Sequence, residues 1–341
     1  MSNLAGTPAA MATGSNTQNG AAASPTANRR PRLSGLNWLV WRQHRAGFWT
    51  VLALTAVCVA WLVYQRSVLM DQLLAQGWPH SSPDTWLKGE HPQRFQLVGF
   101  GLGFIPVVLG VFLGAPLLAG DLENGTAKLV ASQSVSPSRW LATKLGISGL
   151  VVVVCTGALS VAFGRWWGPV KYTSTALDWS DGAAFDNTGP VPVALALFTV
   201  VGGVAIGMLL RRTLMSMVVT FAFAVAVQVV WHFQRLNLGH VLTVTTRQGI
   251  SSDAFPRTPQ AALEIDHWYI SGSGRTYGWG TCAHEVSEKA CVQKFDLVGW
   301  KVDYLPISQM SSMQWFGASI LFALTAAVTV FIFVRGRKRI V

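Results

Sequence analysis

Long uncharged runs alternate with polar connections along the chain. Six runs contain no Asp, Glu, Lys or Arg: residues 48–64, 97–119, 145–164, 191–210, 213–231 and 313–334. About 20 apolar residues in a helix cross the hydrocarbon core of a bilayer, and a helix satisfies its own backbone hydrogen bonds there. Strands of a membrane barrel would be shorter and would alternate in polarity. The pattern therefore predicts an all-α membrane protein with six transmembrane helices, called spans 1 to 6 here.

The composition agrees with this fold class. Hydrophobic residues make up 51% of the chain and charged residues 12%, which is about half the charged share of a typical soluble protein. A soluble chain of this composition would expose large apolar patches. The net charge is +11, but no contiguous basic domain carries it, so nucleic acid is not an expected partner.

The distribution of charge predicts the orientation. With a cytosolic N-terminus, the inner segments hold 14 Lys and Arg residues against two acids, Asp121 and Glu123. The outer segments then hold the other 12 basic residues against 13 acids. Because basic residues accumulate on the cytosolic side, we expect both termini in the cytosol. The longest outer loop, residues 232–312, lies between spans 5 and 6.

The region before span 1 divides into two parts. Residues 1–34 are rich in small and polar residues and lack aromatic ones, which predicts a disordered cytosolic tail followed by one membrane domain over residues 35–341. Residues 36–45 form an amphipathic stretch with two Trp residues near two Arg residues. This stretch is either an interfacial helix docked sideways on the bundle or a simple anchor at the lipid headgroups. Membrane lipid is therefore an expected partner.

Polar and small residues within the spans bear on the mechanism. No Asp, Glu, Lys, Arg or His lies well inside a span, whereas most ion-driven carriers hold their coupling ion with such a group. Gln228 is the main strongly polar residue at depth, and an interhelical hydrogen bond is its favoured role. Glycines spaced by four in spans 2 and 4 allow close helix packing, either between subunits or within one chain. Pro106 predicts a kink in span 2.

The connection between spans 2 and 3 carries the most specific pattern. Asp121 and Glu123 follow span 2 directly, although inner connections are usually basic. The Asn-Gly pair at 124–125 signals a turn, and Thr126 can cap a short surface helix. A Ser-Pro pair at 136–137 starts the next helix, with proline at its first position. We expect an acidic turn, a short helix and a sharp re-entry into the membrane.

This stretch resembles the membrane subunit of ABC-2 type transporters, which are ATP-driven exporters whose permease and ATPase are separate chains. That family carries an acidic-x-acidic-x-Gly-Thr motif after its second span, then an apolar position and a basic re-entry. The matching residues are Asp121, Glu123, Gly125, Thr126, Leu129, Arg139, Lys144 and Gly146. The Trp-Arg-Gln-His-Arg sequence at 41–45 is also similar to the opening of bacterial members.

The resemblance implies a function. The chain would be the non-catalytic permease subunit of an ABC exporter in a bacterial inner membrane, with no cofactor, metal or catalytic residue of its own. A cytosolic coupling helix at about residues 126–133 would dock on a separate ABC ATPase, and a second permease chain would complete the path. The candidate coupling residues are Asp121, Glu123, Gly125, Thr126, Leu129 and Arg139. No Gly-x-x-x-x-Gly-Lys-Ser/Thr phosphate loop occurs in the sequence, so ATP hydrolysis falls to the partner. An amphiphilic or hydrophobic cargo is expected.

The outer loop supports an alternative function. It contains Cys282 and Cys291, for which a disulfide is plausible outside a bacterial membrane; two free thiols are the other possibility. His and acidic residues also lie there, but their spacing matches no metal or hydrolase site. A membrane-bound enzyme or sensor that acts through this loop is the alternative to a permease.

Overall fold

Six long helices dominate the structure, and each contains one of the uncharged runs. The computed structural model describes residues 36–80, 90–125, 136–172 and 177–339; the predicted tail, 1–34, lies outside them. Within that part of the chain, six helical stretches are long and apolar enough to cross a membrane. Spans 1, 3, 4, 5 and 6 are the helices Leu36–Ala75, Pro137–Trp167, Val191–Leu210, Thr213–Gln234 and Met310–Arg339. The predicted six-span helical membrane fold is confirmed.

The amphipathic stretch at 36–45 is continuous with span 1. Helix Leu36–Ala75 runs through it without interruption, so these residues are the first turns of the span and not a separate helix lying sideways. The Arg42 guanidinium lies 4.9 Å from the centre of the Trp38 ring, a cation–π contact. Of the two interpretations, the structure therefore favours the anchor.

Span 2 is interrupted twice, each time beside a proline. Its segments are the α-helices Glu90–Gly103, Ile105–Leu109 and Ala115–Glu123, with the π-helix Gly110–Gly114 before the last. Pro106 and Pro116 stand at the starts of the second and third α-helices, since proline lacks a backbone N–H and its ring clashes with the preceding turn. The α-helix breaks at Phe104, beside Pro106, where the kink was predicted. The wider π turn before Pro116 was not predicted.

Span 4 lies at the centre of the bundle. In its most apolar window, 67% of the residues are buried inside the protein, compared with 11% for span 1. It contacts spans 2, 3, 5 and 6. Span 4 is therefore the helix around which the others pack, and the outer faces of the peripheral spans are left for lipid.

Glycines bring spans 2 and 4 into close contact. A Cβ atom added to Gly203 would lie 2.7 Å from the carbonyl oxygen of Gly110, and one added to Gly207 would lie 2.5 Å from that of Ala115. From the other side, a Cβ on Gly114 would lie 2.5 Å from the Val200 carbonyl oxygen. Backbone atoms cannot move aside as a flexible side chain can. At these positions the predicted small-residue packing therefore operates within one chain.

A four-stranded antiparallel sheet occupies the connection between spans 5 and 6. Its strands are β1 Leu242–Thr246, β2 Leu263–Ser271, β3 Thr276–Gly278 and β4 Leu297–Leu305. The spatial order is β1-β4-β2-β3, so β4 pairs with both β1 and β2. Tyr269 of β2 is opposite Trp300 of β4. No regular structure was predicted for this loop, so the sheet region (residues 242–305) is an addition to the predicted fold.

Side-chain contacts attach the sheet region to the adjoining end of the bundle. The indole N–H of Trp179, in the connection between spans 3 and 4, donates to the Ala261 carbonyl oxygen at 2.8 Å. The Gln309 side chain makes two 2.8 Å hydrogen bonds with the backbone of His240. Leu305 of β4 is buried in the same apolar cluster as Trp179. The sheet is thus seated on the bundle and not suspended from a linker.

The short connection between spans 3 and 4 contacts span 5 through a half-buried carboxylate and span 6 through a backbone carbonyl. Asp186, which follows the short helix Gly182–Phe185, accepts hydrogen bonds from Trp231 at 2.7 Å and from Arg235 at 2.9 Å. Burial raises the pKa of Asp186, and the charge of Arg235 opposes that rise. The Gln314 amide of span 6 donates to the Phe185 carbonyl oxygen at 2.9 Å. The connection between spans 3 and 4 is therefore fixed to both later spans.

We expect Gly203→Ala to destabilise the bundle, because the added methyl group meets backbone on the facing span. Overpacking of this kind costs about 1–3 kcal/mol, so the midpoint of thermal unfolding in detergent should fall. Gly101→Ala is the matched control, since a Cβ there has no atom within 4 Å. Equal midpoints for the two variants would contradict the packing described here.

Candidate functional site

Asp121 joins three spans at the end of the bundle opposite the sheet, called the Asp121 end below. It lies in the last turn of span 2 and is buried. Its carboxylate forms an ion pair with the Lys144 ammonium of span 3 and accepts a 2.8 Å hydrogen bond from the Gln43 amide of span 1. A single carboxylate thus fixes the ends of spans 1, 2 and 3 relative to one another.

Lys144 is fully buried at this junction. Besides Asp121, its ammonium group donates to the Leu117 carbonyl oxygen at 3.2 Å and lies 4.8 Å from the centre of the Trp140 ring. A charge removed from water is costly unless it is paired and hydrogen-bonded, and here both conditions are met. The pair therefore sets the separation of the two helix ends that the connection between spans 2 and 3 must bridge.

Glu123 links span 2 to span 5. Its side chain is exposed and accepts a 2.8 Å hydrogen bond from the backbone N–H of Thr213, the first residue of span 5. The first N–H groups of a helix have no partner within the helix, and a carboxylate there also interacts favourably with the helix dipole. Because Arg212 supplies no side-chain cap, Glu123 caps span 5 from a distant part of the sequence.

Gly125 lets the chain turn away from span 2. The helix ends at Glu123, and the Asn124 N–H bonds to the Gly120 carbonyl oxygen at 3.0 Å. Gly125 then has φ +70°, a left-handed conformation that glycine adopts without steric cost. The turn predicted from the Asn-Gly pair is present. A bulkier residue at 125 would redirect the chain just where the predicted coupling segment begins.

The remaining predicted coupling residues have different positions. Arg139 is exposed in the first turn of span 3, two residues after Pro137, which occupies the predicted first helical position. Thr126 and Leu129 lie outside the described residues, as does the predicted coupling helix at 126–133. The structure therefore brings Asp121, Glu123, Gly125 and the start of span 3 together on the two sides of that segment.

Two partners at the Asp121 end were not among the predicted site residues. Lys144 had been matched to the basic re-entry of the family, but its burial against Asp121 could not be read from spacing. Gln43 lies in the amphipathic stretch, where the interpretation rests on the Trp and Arg residues and gives Gln43 no role. The available signal was a lysine at the edge of an apolar run, across the connection from an acid.

A family model now identifies the chain. The model described as ABC-2 membrane transporter related matches residues 52–235, which is more than half of the chain and includes Asp121, Glu123 and Lys144. The chain belongs to the ABC-2 membrane transporter related family. It is thus a membrane-spanning component of a transporter, and the resemblance noted in the sequence is confirmed. Comparisons with curated proteins and with solved structures find no match.

This ABC-2 related chain has a cleft between spans 2 and 5. Its volume is about 570 Å³, and most of the residues that line it are apolar or glycine. Gln96, Asp186, Gln228 and His232 add polar groups. The Gln228 amide donates to the Gly103 carbonyl oxygen at 3.0 Å, at the first interruption of span 2. The predicted interhelical hydrogen bond of Gln228 is therefore present, and its acceptor is a carbonyl oxygen at the break in span 2.

The cysteines of the sheet region are joined. Cys282 and Cys291 form a disulfide that ties the turn Trp279–His284 to the helix Glu288–Phe295. Cys58 and Cys155 of spans 1 and 3 are free thiols. Within the described part of the chain, no group of three or more His, Cys, Asp or Glu residues could hold a metal ion.

The Asp121–Lys144 pair should show a characteristic pattern in a double-mutant cycle. Asp121→Asn should lower stability, by about 3 kcal/mol or more, because it leaves a buried ammonium without its counter-ion. The double variant Asp121→Asn/Lys144→Met removes both charges, so it should be more stable than Asp121→Asn alone. Thermal unfolding in detergent measures the stability of the two single variants, Asp121→Asn and Lys144→Met, and of the double variant. If the stability losses of the single variants add up to the loss of the double variant, the two residues are not coupled.

Removing the cap at Glu123 should loosen the start of span 5. In Glu123→Ala, amide hydrogen exchange at residues 213–216 should accelerate, because the Thr213 N–H loses its acceptor. Glu123→Gln keeps a side-chain oxygen and should retain more of the protection. If exchange in Glu123→Ala equals that of the unmodified protein, Glu123 does not act as the cap.

Proposed function

We propose that this chain is the permease subunit of an ATP-driven exporter and that a separate ABC ATPase supplies the energy. The family match supports a transporter component in general. The observation that carries the finer proposal is the anchoring of both sides of residues 126–135. Asp121 and Lys144 pair where spans 2 and 3 meet that segment, and Glu123 joins the end of span 2 to the start of span 5.

The contacts at the Asp121 end provide a route for mechanical force. A push on the segment 126–135 acts on the end of span 2 and the start of span 3, which the buried ion pair keeps together. The Gln43 hydrogen bond to Asp121 links span 1 to the same helix ends, and Glu123 links them to span 5. Closure of an ATPase dimer against this segment would thus tilt several spans together, from inward-open to outward-open.

The proposed orientation places the Asp121 end in the cytosol. Its connections carry the excess of Lys and Arg counted in the sequence, as expected for the cytosolic side, and the sheet region with its disulfide then lies outside the bacterial inner membrane. The domain division stays as proposed from the sequence, with a tail of residues 1–34 and a membrane domain of residues 35–341.

The proposed cargo is amphiphilic or hydrophobic. The cleft between spans 2 and 5 has mainly apolar walls with a few polar groups, the usual make-up of a site for such molecules. One six-span bundle is small for a translocation path, so we place the path at the surface where a second permease chain pairs with this one. A complete exporter would contain two permease chains, identical or not, and two ATPase chains.

Co-purification tests the proposed ATPase partner. A P-loop ATPase should be recovered with the tagged full chain from its native membrane and identified by mass spectrometry. Leu129→Glu, which puts a charge at the apolar position of the predicted coupling segment, should reduce this recovery at least tenfold. Asp121→Ala/Glu123→Ala should reduce it as well, because the segment loses its anchors.

An exposed leucine of span 1 provides the matched control. Leu74→Glu makes the same substitution at an exposed position in the last turn of span 1, at the sheet end, and should leave recovery unchanged. Undiminished recovery with Leu129→Glu would count against a coupling helix at 126–133. Uphill transport by the purified chain alone, driven by an ion gradient, would overturn the permease proposal itself.

A further inference from the structure

A second cavity lies in the sheet region, separate from both the Asp121 end and the cleft. Its volume is about 600 Å³. Its walls include Tyr269 of β2, Trp279 of the disulfide-bonded turn and Glu288 at the start of the following helix, with Ser251 and Ser252 beside them. The permease function proposed above involves none of these side chains.

Two aromatic rings, together with Ile250 and Ala283, form the apolar part of this cavity. Tyr269 packs against Trp300, with 4.4 Å between the ring centres, so its position is fixed by the sheet. Trp279 is 64% exposed, so its indole is open to a ligand. An aromatic ring attracts a cation to its face, and the attraction grows when water is excluded. The rings therefore favour a ligand that is both apolar at its surface and positively charged.

The charge of the cavity has the matching sign. Among the described residues that line it, Glu288 is the one charged side chain. The nearby Glu285 is already paired with Lys294 at 2.5 Å. Burial raises the pKa of the Tyr269 hydroxyl, and the negative charge of Glu288 raises it further. The potential of the Glu288 carboxylate thus reaches the aromatic side of the cavity.

The walls of the cavity are held in place before any ligand arrives. The Cys282–Cys291 disulfide joins the turn that carries Trp279 to the helix that begins with Glu288. That helix is capped by Ser287, whose hydroxyl oxygen accepts from the Ala290 N–H at 3.2 Å. The ring and the carboxylate therefore sit on covalently linked elements, which lowers the entropy cost of binding.

We propose that this cavity binds an organic cation, an alkylammonium or quaternary ammonium group that lies against Tyr269 and Trp279 and is neutralised by Glu288. Such a group carries its charge within an apolar shell, so it satisfies the rings and the carboxylate together. A neutral alcohol of the same shape lacks the charge, and an anion is repelled by Glu288. The same chemistry occurs in soluble amines and in the headgroup of choline lipids.

Binding of radiolabelled choline to the purified full chain tests this proposal. In nanodiscs of phosphatidylglycerol, binding should saturate, and tetramethylammonium should displace the label. The neutral isostere 3,3-dimethyl-1-butanol should displace it at least tenfold less well. In nanodiscs of phosphatidylcholine, loss of choline binding would identify the lipid headgroup as the natural source, and retention would identify a soluble amine.

Two variants and two controls complete the test. Trp279→Leu and Glu288→Gln should each weaken choline binding about tenfold, which corresponds to about 1.4 kcal/mol. Trp315→Leu changes an indole of similar exposure, 62%, outside the cavity, and Glu264→Gln neutralises an exposed carboxylate on β2; both should bind as the unmodified chain does. Absence of saturable binding, equal displacement by the alcohol, or unchanged affinity in both cavity variants would overturn the proposal.

Discussion

An ammonium group withdrawn from water needs a carboxylate beside it, and this requirement ties Lys144 to Asp121. The fully buried lysine belongs to span 3 and the carboxylate to span 2, so neither helix end can move far without exposing an unpaired charge to an apolar surrounding. Gln43 brings span 1 into the same arrangement. The geometry on both sides of the predicted coupling segment depends on this single buried pair.

The middle of the bundle combines tight packing with a broken helix. Span 2 contacts span 4 through glycines that leave no room for a side chain, yet its hydrogen-bond ladder is interrupted at Phe104 and again before Pro116. The Gln228 amide satisfies a carbonyl oxygen at the first interruption. Span 2 therefore packs closely against span 4 along one side but is not one continuous α-helix. The cleft opens beside its first interruption.

The helical part of the fold could be predicted because its signals are local. Uncharged runs marked the spans, Pro137 marked the start of span 3, and the Asn-Gly pair marked the turn after span 2. The sheet could not be predicted in the same way, because its short strands pair over long sequence separations, as Thr243 of β1 does with Asp303 of β4. Prediction of the Asp121–Lys144 pair would require knowing which sides of the helices contact each other. Spacing alone does not supply that information.

The strand order has a consequence for how the protein is made. β4 is the last strand to be synthesised, yet it pairs with both β1 and β2, so the sheet cannot close until the ribosome has delivered residue 305. Span 6 begins with Met310, only a few residues later. Closure of the sheet and insertion of span 6 are thus neighbouring events in biogenesis, and a chain truncated before β4 would leave the edges of β1 and β2 unpaired.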